Sequence, residues 1–248
     1  MKLFLKIIEP FMLVVVIATL VLCAIFRVQN SGLLTALVAL SSFVPFVARF
    51  ELQKPNPSEL MPIAVLSAIA IVGRIAMAPI PNFQPVSAIV IFTGIFFGRQ
   101  SGYLTGAFSA LISNMVLGQG AWTPWQMYTW GMMGFFAGLL AERGLFGDIG
   151  KGKLISKRSE GKIRTVIVLI YGALATAFYS MVLDTWYLIA FVSEVSVTSA
   201  ITVYTAGLLT NIPHVISTVA ILVIILKPWG KKIERIKIKY GIGPSKIV

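Results

Sequence analysis

An all-α, multi-pass membrane protein is the fold class this sequence predicts, and three observations carry it. Hydrophobic residues make up 57% of the chain, charged residues only 12%, and the mean hydropathy is +0.89. A soluble domain carries about 25% charged residues, so this chain lacks the polar surface to coat itself in water. Apolar stretches recur at the length a helix needs to cross a bilayer core, roughly 20 residues. The basic residues, finally, are distributed almost entirely to one side of those stretches.

Eight spans are expected in order, at Phe4 to Phe26, Leu33 to Val47, Leu60 to Ala78, Val86 to Gly98, Gly102 to Leu117, Pro124 to Leu140, Ile163 to Leu183 and Ser199 to Leu226. The first begins after Lys2 and Lys6 like a signal sequence, but no small-x-small cleavage pattern follows, so it reads as a retained signal anchor. Its Cys23 is the one cysteine of the chain, which removes any disulfide framework, and Leu22 before it argues against a lipoprotein site. The fourth and fifth spans are short and joined only by Arg99, Gln100 and Ser101.

With eight spans, 19 of the 21 Lys and Arg residues collect on one side, in the ends and loops around Lys2, Arg49, Lys54, Arg99, 143–164 and 227–246. The opposite loops hold Arg27, and Arg74 lies within a span. Positive residues stay cytoplasmic, so both termini are expected inside. The net charge of +12 is then a topology signal and a contact for anionic lipids, with no nucleic-acid role.

Two breaks that fall on the outer side have unusual chemistry. Gln119-Gly120-Ala121-Trp122-Thr123-Pro124-Trp125-Gln126 places two indoles and two amides between apolar runs, and Pro79-Ile80-Pro81-Asn82-Phe83-Gln84-Pro85 places amides and an aromatic among three prolines. Asp184, Thr185, Trp186 and Tyr187 lie at a third outer edge. Aromatic walls with a few placed amides suit a neutral or zwitterionic ligand. Taken singly, each aromatic is equally well an interfacial anchor.

Arg74 and Asp184 are expected at similar depth. An intramembrane charge costs about 2.5 to 3.5 kcal/mol, so they either pair as a tie between helices or face a substrate cavity. His214, the only histidine, follows Asn211 and Pro213 in mid-span. It either faces a ligand or satisfies backbone freed by the proline, and the second is favoured.

Small residues show where helices approach closely: Gly94, Gly98, Gly102 and Gly106 repeat every fourth position, as do Gly134 and Gly138. Ala64, Ala68 and Ala70 form a stripe that, on its own, indicates packing. No phosphate loop, zinc motif or nucleophile elbow occurs, so the chain is not expected to be an enzyme, and any ATP-driven step belongs to another chain. No cofactor and no metal is expected on this chain.

The order of these features resembles a known family. Ala-x-x-x-Ala at Ala64 and Ala68, the proline-rich loop at 79–85, Val86-Ser-Ala-Ile-Val-Ile-Phe-Thr-Gly94, the Gly98/Gly102/Gly106 repeat and the Gly-Gln-Gly-x-Trp-Thr-Pro-Trp-Gln ending are similar to the substrate-binding S components of energy-coupling factor (ECF) type vitamin transporters. The resemblance covers about two thirds of the chain, from Met61 to Trp229. It implies a six-helix core, here at 51–230; the two extra transmembrane helices expected at 1–50 depart from the family pattern, and a basic cytoplasmic tail is expected at 231–248. It implies a subunit that takes a vitamin from outside and docks, through Ala64 and Ala68, on a coupling transmembrane subunit driven by two ATPases. It implies a vitamin site near the outer ends of the helices under the loop at 79–85, which agrees with the site read from the residues themselves: Arg74, Asn82, Phe83, Gln84, Gln119, Trp122, Trp125, Gln126, Asp184 and Trp186. The Trp-Thr-Pro-Trp-Gln segment most resembles members linked to cobalamin or related corrinoids, whose amides suit those side chains. The competing reading is a stand-alone secondary transporter or channel for a small solute, with Arg74, Asp184 and His214 as its path.

Overall fold

A computed structural model describes residues 2–26, 32–53, 57–146 and 158–240. Arg27, Lys54, most of the basic loop at 147–157 and the last residues, 241–248, lie outside the described residues. Most of the described residues are helical, and none of them forms a strand. The elements are α1 (Lys2–Ile25), α2 (Gly32–Ser41), α3 (Phe43–Gln53), α4 (Pro57–Ala76), α5 (Val86–Phe97), α6 (Arg99–Leu117), α7 (Thr123–Glu142), α8 (Arg158–Phe191) and α9 (Val197–Tyr240).

Three helical stretches are long and apolar enough to cross a membrane, at Leu33–Leu52, Ile163–Phe191 and Val197–Lys237, and Val14–Cys23, Leu60–Ala76 and Val86–Phe97 are shorter apolar segments. The expected fifth and sixth spans, now α6 and α7, are not among them. The reason is burial. Gln100, Thr105, Ser109, Ser113 and Asn114 of α6 and Thr129 of α7 point into the bundle rather than to its surface, so these helices carry polar atoms that a lipid-facing helix would not.

α5 is the axis of the fold. Every residue from Val86 to Phe96 is buried, which explains its unbroken apolar character. It turns into α6 through Gly98 alone, at φ 91°, a tighter corner than the three-residue connection expected from sequence. The glycine repeats meet where they were expected to. A Cβ placed on Gly102 would collide with the Gly134 backbone, and one on Gly134 with Gly102. α6 and α7 therefore touch backbone to backbone, the close approach that small-residue spacing permits.

Other expected boundaries shift. The second span bends at Ser42 into α2 and α3, where the Ser42 hydroxyl bonds to the Ala39 carbonyl at 2.6 Å and to the Tyr103 hydroxyl at 3.2 Å. A serine that hydrogen-bonds its own backbone commonly bends a helix. The N-terminal helices are fastened to the rest of the bundle at the same place: Phe46 is fully buried and stacks on Tyr103 of α6 at 3.5 Å, and Gln100 donates to the Phe46 carbonyl at 3.2 Å. α8 extends to Phe191, well beyond Leu183. α9 runs on to Tyr240, so residues 231–240, expected as tail, continue a helix. Lys237 anchors that extension by donating to the Phe96 carbonyl at 2.6 Å, an acceptor that the end of α5 leaves open.

Candidate functional site

Chain connectivity brings the end of α4, the start of α5, the end of α6 and the start of α7 to one end of the bundle, and Arg74 lies in the last turn of α4 there. Its guanidinium is met by neutral acceptors from three directions. Nε donates to Gln84 Oε1 at 3.0 Å, Nη1 to Ser113 Oγ at 2.5 Å and to Asn114 Oδ1 at 2.7 Å, and Nη2 to Gln126 Oε1 at 3.5 Å. The face of the ion lies 5.0 Å from the centre of the Trp130 ring, within cation–π range.

The second layer fixes which atom faces the arginine. Asn114 donates through Nδ2 to Thr123 Oγ1 at 2.9 Å and to Gln126 Oε1 at 2.7 Å, so its carbonyl is left for Arg74. Ser113 passes its own proton to the Ser109 carbonyl at 2.6 Å and accepts from Arg74. The Gln84 backbone is tied to Ser217 of α9, with N–H to Oγ at 3.4 Å and Oγ to the carbonyl at 3.3 Å. Below them Trp130 stacks on Tyr179 at 4.8 Å and donates to Ser87 Oγ at 3.0 Å, and Ser87 lies 2.9 Å from His214 Nε2.

Several expected site residues converge here: Arg74, Gln84 and Gln126. Others do not. Asn82 is exposed and serves the turn, with φ 52°, a left-handed conformation that asparagine tolerates. Phe83 is half-buried beside it. Gln119 is exposed and donates to the Leu111 carbonyl at 2.9 Å, closing the end of α6. The two tryptophans of the Gln119 to Gln126 segment part company. Trp125 is fully buried with its indole N–H unpartnered, whereas Trp122 is 39% exposed and its ring folds over Gly120, where a Cβ would collide with it. Trp186 is buried against Phe191, toward the far end of α8.

Of the two readings left open for Arg74 and Asp184, the pairing is not formed. Asp184 accepts from Asn211 Nδ2 at 2.7 Å, on the α8–α9 side of the bundle, and Arg74 is satisfied by amides and a hydroxyl. His214 also departs from its favoured reading. Its ring, rather than answering freed backbone, bonds to Ser87 and meets Tyr179 edge-on at 5.0 Å.

The sequence reading does not reach Ser87, Ser113, Asn114, Thr123, Trp130, Tyr179 or Ser217. A signal was available for two of them: Ser113-Asn114 is a polar pair in the last turns of an otherwise apolar run, where unsatisfied side chains would be costly. Trp130 and Tyr179 look like any other aromatic in a span, and only the fold gives them their place.

A family model described as ECF-type riboflavin transporter, S component matches residues 56–231. The chain belongs to that family. It is accordingly an integral membrane, substrate-specific subunit of an ECF transporter, which works with a coupling module and ATPases and binds a vitamin, and it is a transport component rather than an enzyme. The match begins after α3, so α1 to α3 lie outside it. No solved structure matches the chain.

Proposed function

We propose that this S component binds a riboflavin-type vitamin at the Arg74 cluster, with that end of the bundle outward and both termini cytoplasmic. The observation that carries the reading is the convergence of Gln84, Ser113, Asn114 and Gln126 on a guanidinium that no carboxylate neutralises among its described partners. A flavin offers one flat edge of carbonyl acceptors and an N–H, and a chain of hydroxyls. Arg74 suits the carbonyls, and the glutamine oxygens that now hold it stand in for them. Side-chain amides, with donor and acceptor on one group, suit the N–H and the hydroxyls.

The family description names riboflavin, which favours a flavin over the corrinoid expected from the Trp-Thr-Pro-Trp-Gln segment. The geometry of that segment agrees. The corrinoid reading takes Trp122 and Trp125 as faces for the ring, but Trp125 is fully buried and Trp122 is folded onto Gly120. Arg74, Gln84 and Gln126 are thus the ligand-binding residues among those expected, with Asn114 and Ser113 beside them. Asn82, Phe83, Gln119, Trp122 and Trp125 shape the mouth, and Asp184 and Trp186 stand apart.

Docking on the coupling subunit falls to α4. Ala64 and Ala68 are exposed there, flanked by Met61, Val65, Ile69 and Val72, each between 39% and 65% exposed. Small side chains on an apolar helix face let a partner helix come close. The basic end of the bundle contacts anionic lipids, and ATP is used by the partner ATPases. α1 to α3 form a lateral unit held to the core by Phe46 on Tyr103.

Riboflavin and cyanocobalamin titrated separately into the detergent-purified, ligand-free protein test the substrate. Saturable quenching of flavin fluorescence with no response to the corrinoid supports the reading, and the reverse pattern returns the site to a corrinoid. For docking, Ala64→Arg is expected to lose co-purification with the coupling subunit and the two ATPases while riboflavin binding stays intact. Retained co-purification would move the docking face elsewhere.

A further inference from the structure

Beneath the Arg74 cluster lies a hydrogen-bonded chain that no ligand contact explains. We infer that Ser87 and His214 are positioning residues for the vitamin site: they fix the Trp130 indole, and through it the height and tilt of Arg74. The inference rests on the Arg74 cluster being the ligand site.

Donor counting gives the chain a direction. An indole N–H can only donate, and Trp130 Nε1 donates to Ser87 Oγ at 3.0 Å. Ser87 Oγ keeps one proton and a second lone pair, and the order we infer gives that proton to its other close partner, His214 Nε2, at 2.9 Å. In this order the imidazole accepts at Nε2 and carries its own hydrogen on Nδ1. The order Trp130 to Ser87 to His214 satisfies each group with one bond and leaves no like pair of donors facing.

Burial makes the arrangement rigid. Ser87 and Trp130 are fully buried and His214 is 2% exposed, so none of the three can exchange its partner for bulk water. The indole is clamped on three sides: the hydroxyl of Ser87 at its edge, the Tyr179 ring stacked at 4.8 Å, and Arg74 over the ring at 5.0 Å. His214 supports two of these clamps, because it also meets Tyr179 edge-on at 5.0 Å. The same turn of α9 holds the opposite wall, since Ser217 is bonded to both backbone groups of Gln84. One turn of α9 thereby sets both the floor and one side of the cluster. A guanidinium has a planar fork of fixed geometry, so a small tilt of the indole beneath it moves every donor it presents.

The test separates positioning from mere folding. In the full-length protein, riboflavin affinity is measured for Ser87→Ala, His214→Ala and His214→Gln, with thermal unfolding to establish that each variant is folded. His214→Ala and Ser87→Ala are expected to weaken riboflavin binding by about 10- to 100-fold, the effect of leaving one buried polar group unpaired. His214→Gln, whose carboxamide oxygen can accept where Nε2 does, is expected to recover most of that loss. A readout that needs no ligand accompanies it: the indole N–H resonance of Trp130, assigned by its disappearance in Trp130→Phe, is expected to move in Ser87→Ala and His214→Ala and to return toward wild type in His214→Gln. An unmoved indole resonance in Ser87→Ala overturns the chain, and unchanged affinity in folded His214→Ala overturns its role at the site. If the wild type ignores riboflavin, the substrate reading fails by itself, and the indole resonance still decides the chain.

Discussion

Arg74 and Asp184 are both partly buried charges, and they are treated in opposite ways. Arg74 is met by four polar side chains and an indole face, drawn from the loop before α5, from α6 and from α7. Asp184 is half-buried and held by the single amide of Asn211. A charge that costs a few kcal/mol to place in a membrane is retained when something offsets it. For Arg74 the offset is a built network whose members are themselves oriented by further bonds. For Asp184 one bond and partial exposure suffice. The contrast teaches that depth and charge alone do not mark a site; the number of independent elements that converge on the charge does.

The sharpest way to break this contrast is to remove the guanidinium. Arg74→Met keeps length and removes every donor, so Gln84, Ser113, Asn114 and Gln126 lose their shared partner. Riboflavin affinity is expected to fall by about 100-fold or more, equivalent to roughly 3 kcal/mol, since bonds to a charged group are worth about 1.5 to 3 kcal/mol each. Fluorescence titration measures it. An affinity within threefold of wild type would remove Arg74 from the site and leave its network as a structural tie.

How much of this was legible beforehand follows from the same residues. The all-helical membrane class and the close α6–α7 contact are local signals, since they depend on composition and on glycine every fourth residue. The two polar breaks and the cluster of Arg74, Gln84 and Gln126 could be read because amides and a charge are anomalous among apolar runs. What could not be read depends on partners distant in sequence. Nothing in a span containing Trp130 says that Ser87, 43 residues earlier, will take its N–H. Nothing near Asp184 says that Asn211 will reach it before Arg74 does. The tryptophans of the Gln119 to Gln126 segment show the same limit: both look alike in sequence, yet Trp125 is interior and Trp122 is at the surface.

A smaller effect is expected one step out from the guanidinium. Gln126 holds Arg74 only at 3.5 Å but accepts from Asn114 at 2.7 Å, so its main work is to orient Asn114. Gln126→Ala is expected to weaken riboflavin binding about tenfold, in line with about 1.4 kcal/mol for one buried hydrogen bond. Combined with Asn114→Ala it is expected to cost less than the sum of the two, because both act through one network. Full additivity in such a double-mutant cycle would mean that the two amides contact the ligand independently. Trp122→Ala, at the exposed rim, is expected to change affinity by no more than about threefold, within the small range usual for surface substitutions. A large loss there would restore the indole as a ligand wall.

The smallest expected effect lies at the other charge. Asp184→Asn removes a carboxylate from a half-buried position and still leaves an oxygen able to accept from Asn211. Taking away an intramembrane charge that no cation among the described residues pairs with lowers the cost of insertion, while the hydrogen bond between α8 and α9 survives. Thermal stability in detergent is therefore expected to hold or to rise by a few degrees, as a gain of up to about 1 kcal/mol would produce. Riboflavin affinity is expected to stay within about twofold, because among the described residues Asp184 shares no hydrogen-bond partner with Arg74. The informative failure is a substitution that leaves binding intact and abolishes uptake in cells. That result would place the carboxylate in the transport step itself, and the two charges would then divide the labour of capture and delivery.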